Sequence, residues 1–315
     1  MMRQILIDCD PGHDDALAIL TAIAQQESLS ILGISTIGGN QTLEKVTQNA
    51  KNILAFVGSN IPLATGQGVP LVKQLEPAEE AHGESGMDGP YFSGLDYPIF
   101  SENAVTFMYD KLMQASGKVT LVGLGPLTNI ALLLKTFPEC CEKIADISIM
   151  GGGISHGNIT SLAEFNIYID PEAANIVFNS GIEIIMSGLD VTEKAEITVS
   201  EIQSLKNKGR VSQLAYELLN FYNQSGRQFG FIDSPIHDLC AIAYLIDPSM
   251  FSGEKYYVSV ETSDGPTRGL TYADKRIKSV GTKNTLVLES VNREKFVKLL
   301  VESLEILDDR TDFNE

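Results

Sequence analysis

Apolar positions along this chain follow two spacings in turn, and the alternation predicts strand and helix in succession. Ile5, Leu6 and Ile7 form a short continuous apolar run, the pattern of a buried strand, which stops at Asp8. From Ala16 the residues Leu17, Leu20, Ile23 and Ala24 recur at helical spacing. Leu29 to Ile37 reads as a second strand closed by Gly38 and Gly39, and a helix from Thr42 to Phe56 follows on the stripe Leu43, Val46, Ala50, Ile53 and Leu54. The rhythm resumes with a helix over Ser101–Ser116, a strand over Lys118–Leu124, a helix over Ile130–Leu134 and a strand over Ile144–Met150. A helix opens at Asp170 and Pro171, and Ile182–Ser187 is a further strand. Helices over Ser200–Lys208 and Val211–Asn223 follow, then a buried helix opening at Pro235 with His237 and Asp238 in its first turn. Strands near Tyr256–Glu261, Leu270–Ala273 and Thr285–Leu288 precede a last helix over Arg293–Leu304, and the acidic tail beyond it is expected to fray.

Strand, tight turn and helix repeated in this way predict an α/β fold, an open and mostly parallel sheet flanked by helices. In such sheets ligands gather at the carboxyl ends of the strands. Periodicity fails over Gly66–Tyr97 and again over Gln224–Pro235. A structureless stretch as long as the first of these inside a compact unit is usually functional or disordered. No internal repeat and no linker divides the chain, so residues 1–315 read as one domain.

Composition narrows the partners. A chain of 315 residues with 43% hydrophobic content can bury a large core. Its formal net charge of −18 argues against nucleic acid or an anionic membrane and suits a neutral or cationic small ligand, or a metal. Cys9, Cys140, Cys141 and Cys240 show no C-x-x-C spacing, which predicts buried thiols in a reducing compartment. No apolar stretch reaches membrane-span length and no signal-peptide core opens the chain, so a soluble, cytoplasmic protein is expected.

Against that background one turn stands out. Asp8, Asp10, Asp14 and Asp15 crowd the junction between the first strand and the first helix, around Pro11 and Gly12. A single Asp there is ordinarily a helix cap. A helix N-terminus offsets only roughly 0.3–1 kcal/mol per negative charge, too little for a cluster. A bound cation accounts for it better, and oxygen ligands favour a hard ion, Ca²⁺ or Mg²⁺. Asn40 lies at the corresponding end of the second strand, where it could equally be a turn residue. The segment Ala81–Pro90 sets glycines and acids around His82, as a binding loop does. Gly125–Asn129 lacks the Lys of a phosphate loop, and Gly151–Gly153 is not a dinucleotide-binding pattern.

The string D-x-D-P-G-H-D-D resembles the signature of the nucleoside hydrolases, the inosine–uridine-preferring ribonucleoside N-glycosidases. The resemblance extends to H-G-E-S-G-M-D-G-P at His82–Pro90, where the family has Leu at the position of Met87, and to G-P-L-T-N at Gly125–Asn129. The run Met150–Pro171 and the segment around His237 and Asp238 carry it on, so that separated motifs span Ile7 to about Leu304. It implies a Rossmann-like nucleoside hydrolase fold and one Ca²⁺ per subunit, held by Asp10, Asp15, the Leu124 carbonyl and Asp238. Asp10 would also serve as general base toward the attacking water. Asp14 and Asn166 would grip the 2′- and 3′-hydroxyls, with Asn158 and Glu164 near the 5′-hydroxyl. Asn40, Met150 and Phe165 would line the substrate pocket. His237 is the first choice to protonate the leaving base; His82 is either the second candidate or only a hydrogen-bond partner of the base, and His13 and His156 receive no role.

The chain has no Trp, so the tandem-tryptophan stacking of strictly purine-specific relatives is missing. The stretch Leu218–Asp238 looks more like bacterial pyrimidine-preferring members, with Tyr222, Arg227, Gln228, Phe229 and Phe231 offered to a base. The resemblance implies a homo-oligomer, dimer or tetramer, acting in nucleoside salvage on uridine and cytidine. A ribonucleoside hydrolase without base preference is the nearest alternative. A phosphohydrolase of the haloacid-dehalogenase type also begins strand-D-x-D. It wants Thr or Val soon after the second Asp, where Pro11 and Gly12 stand, and a Lys or Arg facing the phosphate. A non-catalytic nucleoside-binding protein on the same scaffold would be expected to lose Asp10 or His237, and both are present.

Overall fold

The computed structural model describes residues 2–276 and 281–312. Its strands are β1 (Arg3–Cys9), β2 (Leu29–Thr36), β3 (Leu63–Thr65), β4 (Ile99–Ser101), β5 (Val119–Gly123), β6 (Ile144–Met150) and β7 (Ile184–Ser187). They continue with β8 (Glu196–Ile197), β9 (Ser234–Pro235), β10 (Phe251–Val260), β11 (Thr271–Asp274) and β12 (Thr285–Val291). Ten of them form one sheet in the order β11-β10-β12-β7-β6-β5-β1-β2-β3-β4. Every pairing from β12 across to β4 is parallel. At the other edge β10 runs antiparallel to both β12 and β11. The α/β architecture with an open, mostly parallel sheet and flanking helices is thus present, and the antiparallel edge is an addition to it.

The order of the strands positions the site. From β1 the chain steps outward through β2, β3 and β4, then returns to lay β5 on the opposite side of β1. Connections leave β1 and β5 in opposite directions, so a crevice opens beyond their carboxyl ends. Apolar side chains pack on both faces, in two clusters. The helix His13–Ala24 is buried at every position and forms the middle of one cluster. Each fully buried Leu or Ile there, such as Leu17 or Ile19, stabilises the fold by about 1.5–3 kcal/mol relative to exposure. No helix among the described residues is long and apolar enough to cross a membrane.

Several elements depart from the expected bounds for local reasons. The irregular Gly66–Tyr97 stretch contains one short helical turn, Glu79–His82. The helix expected over Val211–Asn223 runs from Arg210 to Gly226 and passes into a 3₁₀ turn, Arg227–Phe229. The final helix does not fray after Leu304 but continues to Asp312. Leu307 is buried there, and the Asp308 carboxylate accepts from the backbone N–H of Val211 (2.5 Å) and from Ser212 Oγ (2.5 Å), tying the two helices together. The last three residues of the acidic tail lie outside the described residues.

Candidate active site

The acids assemble from separate places along the chain. Asp10 follows β1 directly, and Asp14 and Asp15 occupy the first turn of the helix His13–Ala24. Asp238 sits at the N-cap of the helix Leu239–Ile246, yet its side chain makes no capping bond and turns elsewhere. Carboxylate oxygens of Asp14, Asp15 and Asp238 all lie within 4.8 Å of one another. Asp10 stands beside this trio, close enough to repel Asp15 and Asp14. The tightest group therefore contains Asp14, assigned to the sugar by resemblance, where Asp10 was expected.

Asp10 is held on one side only. Its Oδ2 accepts from the backbone N–H of Asn40 at 2.7 Å, while its Oδ1 is buried without a hydrogen-bond partner. Asp15 repeats the pattern: Oδ2 accepts from Gly12 N at 3.0 Å and from Asn40 Nδ2 at 3.2 Å, and Oδ1 has no partner. Space around Asp10 depends on glycine. A Cβ on Gly39 would lie 2.1 Å from Asp10 Oδ2, and one on Gly125 would lie 2.3 Å from Oδ1.

Burial dominates the electrostatics. It pushes Asp10 and Asp238 well above the usual carboxylate range, and the neighbouring acids add to the shift. Asp14 is pushed up to about 7 by burial and then by Asp15, and Asp15 is raised by burial. Asp8, behind them, is also raised to about 7 by burial, although Ser35 Oγ (2.5 Å) and Asn129 Nδ2 (2.9 Å) donate to it. Buried carboxylate oxygens without donors are costly unless something positive meets them. Orphaned oxygens on two neighbouring acids, together with an all-oxygen donor set, fit a hard divalent cation.

Above the acids lies a cavity of about 390 Å³ whose wall includes Asp14, Asn40, His82, Leu124, Met150, Asn158, Glu164, Phe165, Asn166, His237 and Asp238. Asn166 Nδ2 donates to the Leu124 carbonyl at 2.7 Å and to the Met150 carbonyl at 3.2 Å, bridging the ends of β5 and β6. Glu164 caps the helix Phe165–Ile169: Oε1 accepts from Asn166 N (2.9 Å) and Oε2 from Gly152 N (2.7 Å). Asn158 Oδ1 accepts from Phe165 N at 2.9 Å. Gln228 is placed differently. It is exposed, and its Nε2 donates to the Glu80 carbonyl at 2.7 Å, so its polar end is used to fasten the loop that carries His82.

Histidines meet over this cavity. His237 Nδ1 lies 2.8 Å from Thr192 Oγ1, and burial pulls its pKa down to about 4. His82 is buried, stacked on Tyr222 with ring centroids 5.6 Å apart, and held well below the usual imidazole range by burial. His13, which the sequence left without a role, lies behind it. Its Nε2 is 2.8 Å from the Asp88 carbonyl, its Nδ1 is 3.2 Å from His82 Nδ1, and its ring stacks on Phe221 at 5.1 Å. Tyr222, Ser225, Glu193 and Asp233 also reach the wall. The position of His13 directly before Asp14 was the available signal for it. Glu193 and Ser225 belong to no motif. His156, by contrast, is turned to Glu193 at 3.0 Å.

Several known proteins resemble this chain along nearly its whole length. Residues 5–298 match the family described as inosine-uridine preferring nucleoside hydrolase. A protein of Photobacterium profundum named pyrimidine-specific ribonucleoside hydrolase RihA is 46% identical over 96% of this chain and 99% of its own length. The protein of that name in Shewanella sp. (strain ANA-3) is 44% identical over 97% of both chains. Among solved structures, a plant nucleoside hydrolase, PpNRh1, superposes with a TM-score of 0.90 at 30% identity, covering 96% of this chain and 99% of that one. A purine-preferring ribonucleoside hydrolase from Gardnerella vaginalis gives a TM-score of 0.90 at 29% identity, covering 97% and 99%. The match runs through the motifs that build the acidic floor and the cavity wall, and by it the chain belongs to the inosine-uridine preferring nucleoside hydrolase family, as an enzyme that cleaves ribonucleosides.

Proposed function

We propose that this enzyme hydrolyses the N-glycosidic bond of pyrimidine ribonucleosides, uridine and cytidine ahead of inosine and adenosine, with one Ca²⁺ bound per subunit. The observation that carries the reading is the orphaned Asp10 Oδ1 and Asp15 Oδ1 beneath a cavity walled by sugar-sized polar groups. Nucleoside hydrolases use a metal ion. Here Asp10, Asp15, Asp238 and the Leu124 carbonyl would hold it, with Asp14 adjacent. When bound, the cation supplies Lewis acidity and neutralises the acids around it.

The residues then divide the work by position. Asp10 Oδ1, with no proton donor of its own, takes the proton of the attacking water. Asp14 and Asn166 hold the 2′- and 3′-hydroxyls, and Asn158 and Glu164 lie toward the 5′-hydroxyl. Cleavage passes through an oxocarbenium-like sugar, which a wall of carboxylates favours. His237 and His82 face the leaving base. The pyrimidine preference draws its support from the relatives' names and from the aromatic wall of Tyr222, Phe229 and Phe231. No Lys or Arg lines the cavity among the described residues, which disfavours a phosphate-bearing substrate. A homo-oligomer, dimer or tetramer, working in cytoplasmic nucleoside salvage completes the reading, on the strength of the family resemblance.

The test is a panel of uridine, cytidine, inosine and adenosine incubated with the pure protein, with and without chelator, assayed for free base and reducing sugar. Release of ribose from pyrimidine ribosides, abolished by chelation and restored by Ca²⁺, is expected. No sugar released from any riboside overturns the reading. A higher kcat/KM for inosine than for uridine overturns the base preference alone.

A further inference from the structure

His237 is held from two sides. On the main-chain side, the backbone N–H groups of His237 and Asp238 lie near enough to the Asp14 carboxylate to work against its raised pKa. The ring meets Thr192, whose Oγ1 lies 2.8 Å from Nδ1. A short ribbon brings the two segments together: β8 pairs with β9 through Glu196 and Pro235, and Ile236 N donates to the Ala195 carbonyl at 3.0 Å. Thr192 ends the turn Leu189–Thr192, which is anchored in its own right by Leu189 N donating to Gly152 O at 2.9 Å.

A hydroxyl always has one proton to place, whereas a neutral imidazole has one donor and one acceptor nitrogen. Thr192 is fully buried, so water cannot take its proton. Among the described residues its hydroxyl has one hydrogen-bond partner, His237 Nδ1. Were Nδ1 to donate, the threonine proton would be buried without an acceptor, an arrangement that folded proteins avoid. The threonine O–H therefore donates and Nδ1 accepts. That leaves the ring proton on Nε2, which no described residue engages and which belongs to the side chain lining the cavity.

We propose that Thr192 is a positioning residue that fixes the tautomer of His237, so that an Nε2–H rather than a bare nitrogen is presented to the leaving base. The neutral ring then donates a hydrogen bond to the carbonyl oxygen on which the departing pyrimidine gathers charge. It is an electrophilic role of the kind neutral histidines fill elsewhere. The inference rests on the ribonucleoside-hydrolase reading for its consequence in catalysis, but not for the tautomer itself.

Two measurements separate these. In the metal-loaded, ¹⁵N-histidine-labelled protein, four histidines give a tractable long-range ¹H–¹⁵N spectrum, with His237 assigned by its loss in H237A. Its signals should show a protonated Nε2 and a bare Nδ1 in the wild type and in T192S, and a mixture of tautomers in T192V. A wild-type ring with its proton on Nδ1 overturns the proposal whether or not any riboside is cleaved. In kinetics, T192V, close in shape but without the hydroxyl, should lose about ten- to a hundredfold in kcat on uridine with KM little changed. T192S should recover most of it, and p-nitrophenyl riboside, whose leaving group needs no help, should change less than about twofold. T192V combined with H237A should be no slower than H237A alone. Wild-type kcat on uridine in T192V, or full additivity of the two changes, removes Thr192 from the mechanism. Absence of riboside cleavage by the wild type would instead refute the function and leave the spectrum to decide the tautomer.

Discussion

Asp10 has one oxygen committed to Asn40 and one left bare, and that asymmetry is what makes it suited to accept a proton. Asp10→Asn keeps the size and the Asn40 contact but cannot take a proton. Its kcat on uridine should fall by at least about 10²–10⁴, while the dissociation constant for a non-cleavable riboside moves little. A kcat within tenfold of wild type would assign the base elsewhere. Gly125→Ala tests the space rather than the charge. The new Cβ would sit 2.3 Å from Asp10 Oδ1, so bound metal per chain, read by elemental analysis, should drop below half. Undiminished metal content would show that Asp10 can move aside. At this scale the motifs pointed to Asp10, Asp15, Asn166 and Asp238, and the fold brings all four to the carboxyl ends of the central strands, around one acidic cluster and its cavity. The sequence was silent on His13 and Thr192, whose contacts are with the side chains of His82 and His237. It also offered Gln228 to the base, since nothing in a run of polar residues tells which of them turns to a backbone carbonyl.

The element that carries His82 is fastened by such contacts. Gln228 Nε2 donates to the Glu80 carbonyl (2.7 Å) and Ser225 Oγ to the Ala81 carbonyl (2.8 Å), so the end of the helix Arg210–Gly226 and the 3₁₀ turn after it clamp the turn Glu79–His82. From the other side Asn49 Nδ2 donates to Ser85 O at 3.0 Å. Gln228→Ala removes one tie while touching no cavity residue. Amide exchange over residues 78–90 should accelerate several-fold, and KM for uridine should rise about threefold to tenfold at nearly constant kcat. If exchange in that segment stays at the wild-type rate, the clamp is not what orders it. The sequence marked both segments as irregular and pointed to a binding loop in the first. It could not show that one restrains the other, because side-chain bonds to backbone leave no periodic trace.

For the whole molecule, the parallel sheet and its flanking helices were legible because repeated strand–turn–helix patterns admit few arrangements. The antiparallel edge formed by β10 and β11 was not, since the strand pattern there carries no direction. The packing of the helix Leu239–Ile246 against the helix His13–Ala24 brings Asp238 to the acids after β1, and their shared burial links stability to pH. Asp14 and Asp8 titrate near 7 in the metal-free fold, against about 3.9 for an unfolded Asp. Between those values the native form holds protons that the unfolded chain has released, so metal-free stability falls as pH rises. Cation binding requires ionised carboxylates and strengthens in the same direction. The difference in Tm between Ca²⁺-loaded and stripped protein should therefore widen from pH 5 to pH 8. A difference that shrinks with rising pH would mean these acids do not hold the ion.

The separation of Asp238 from the other acids has a consequence in time. During synthesis Asp10, Asp14 and Asp15 leave the ribosome early and Asp238 late, with roughly ten to fifty seconds between them at ordinary elongation rates. Over that interval the nascent chain carries a knot of negative charge with no opposing element to close it. Contacts between residues so distant along the chain are slow to form. On the proposed ligand set, capture of the ion would mark chains that have finished folding, and refolding with Ca²⁺ present should speed only the last kinetic phase, leaving the earlier ones at their metal-free rates.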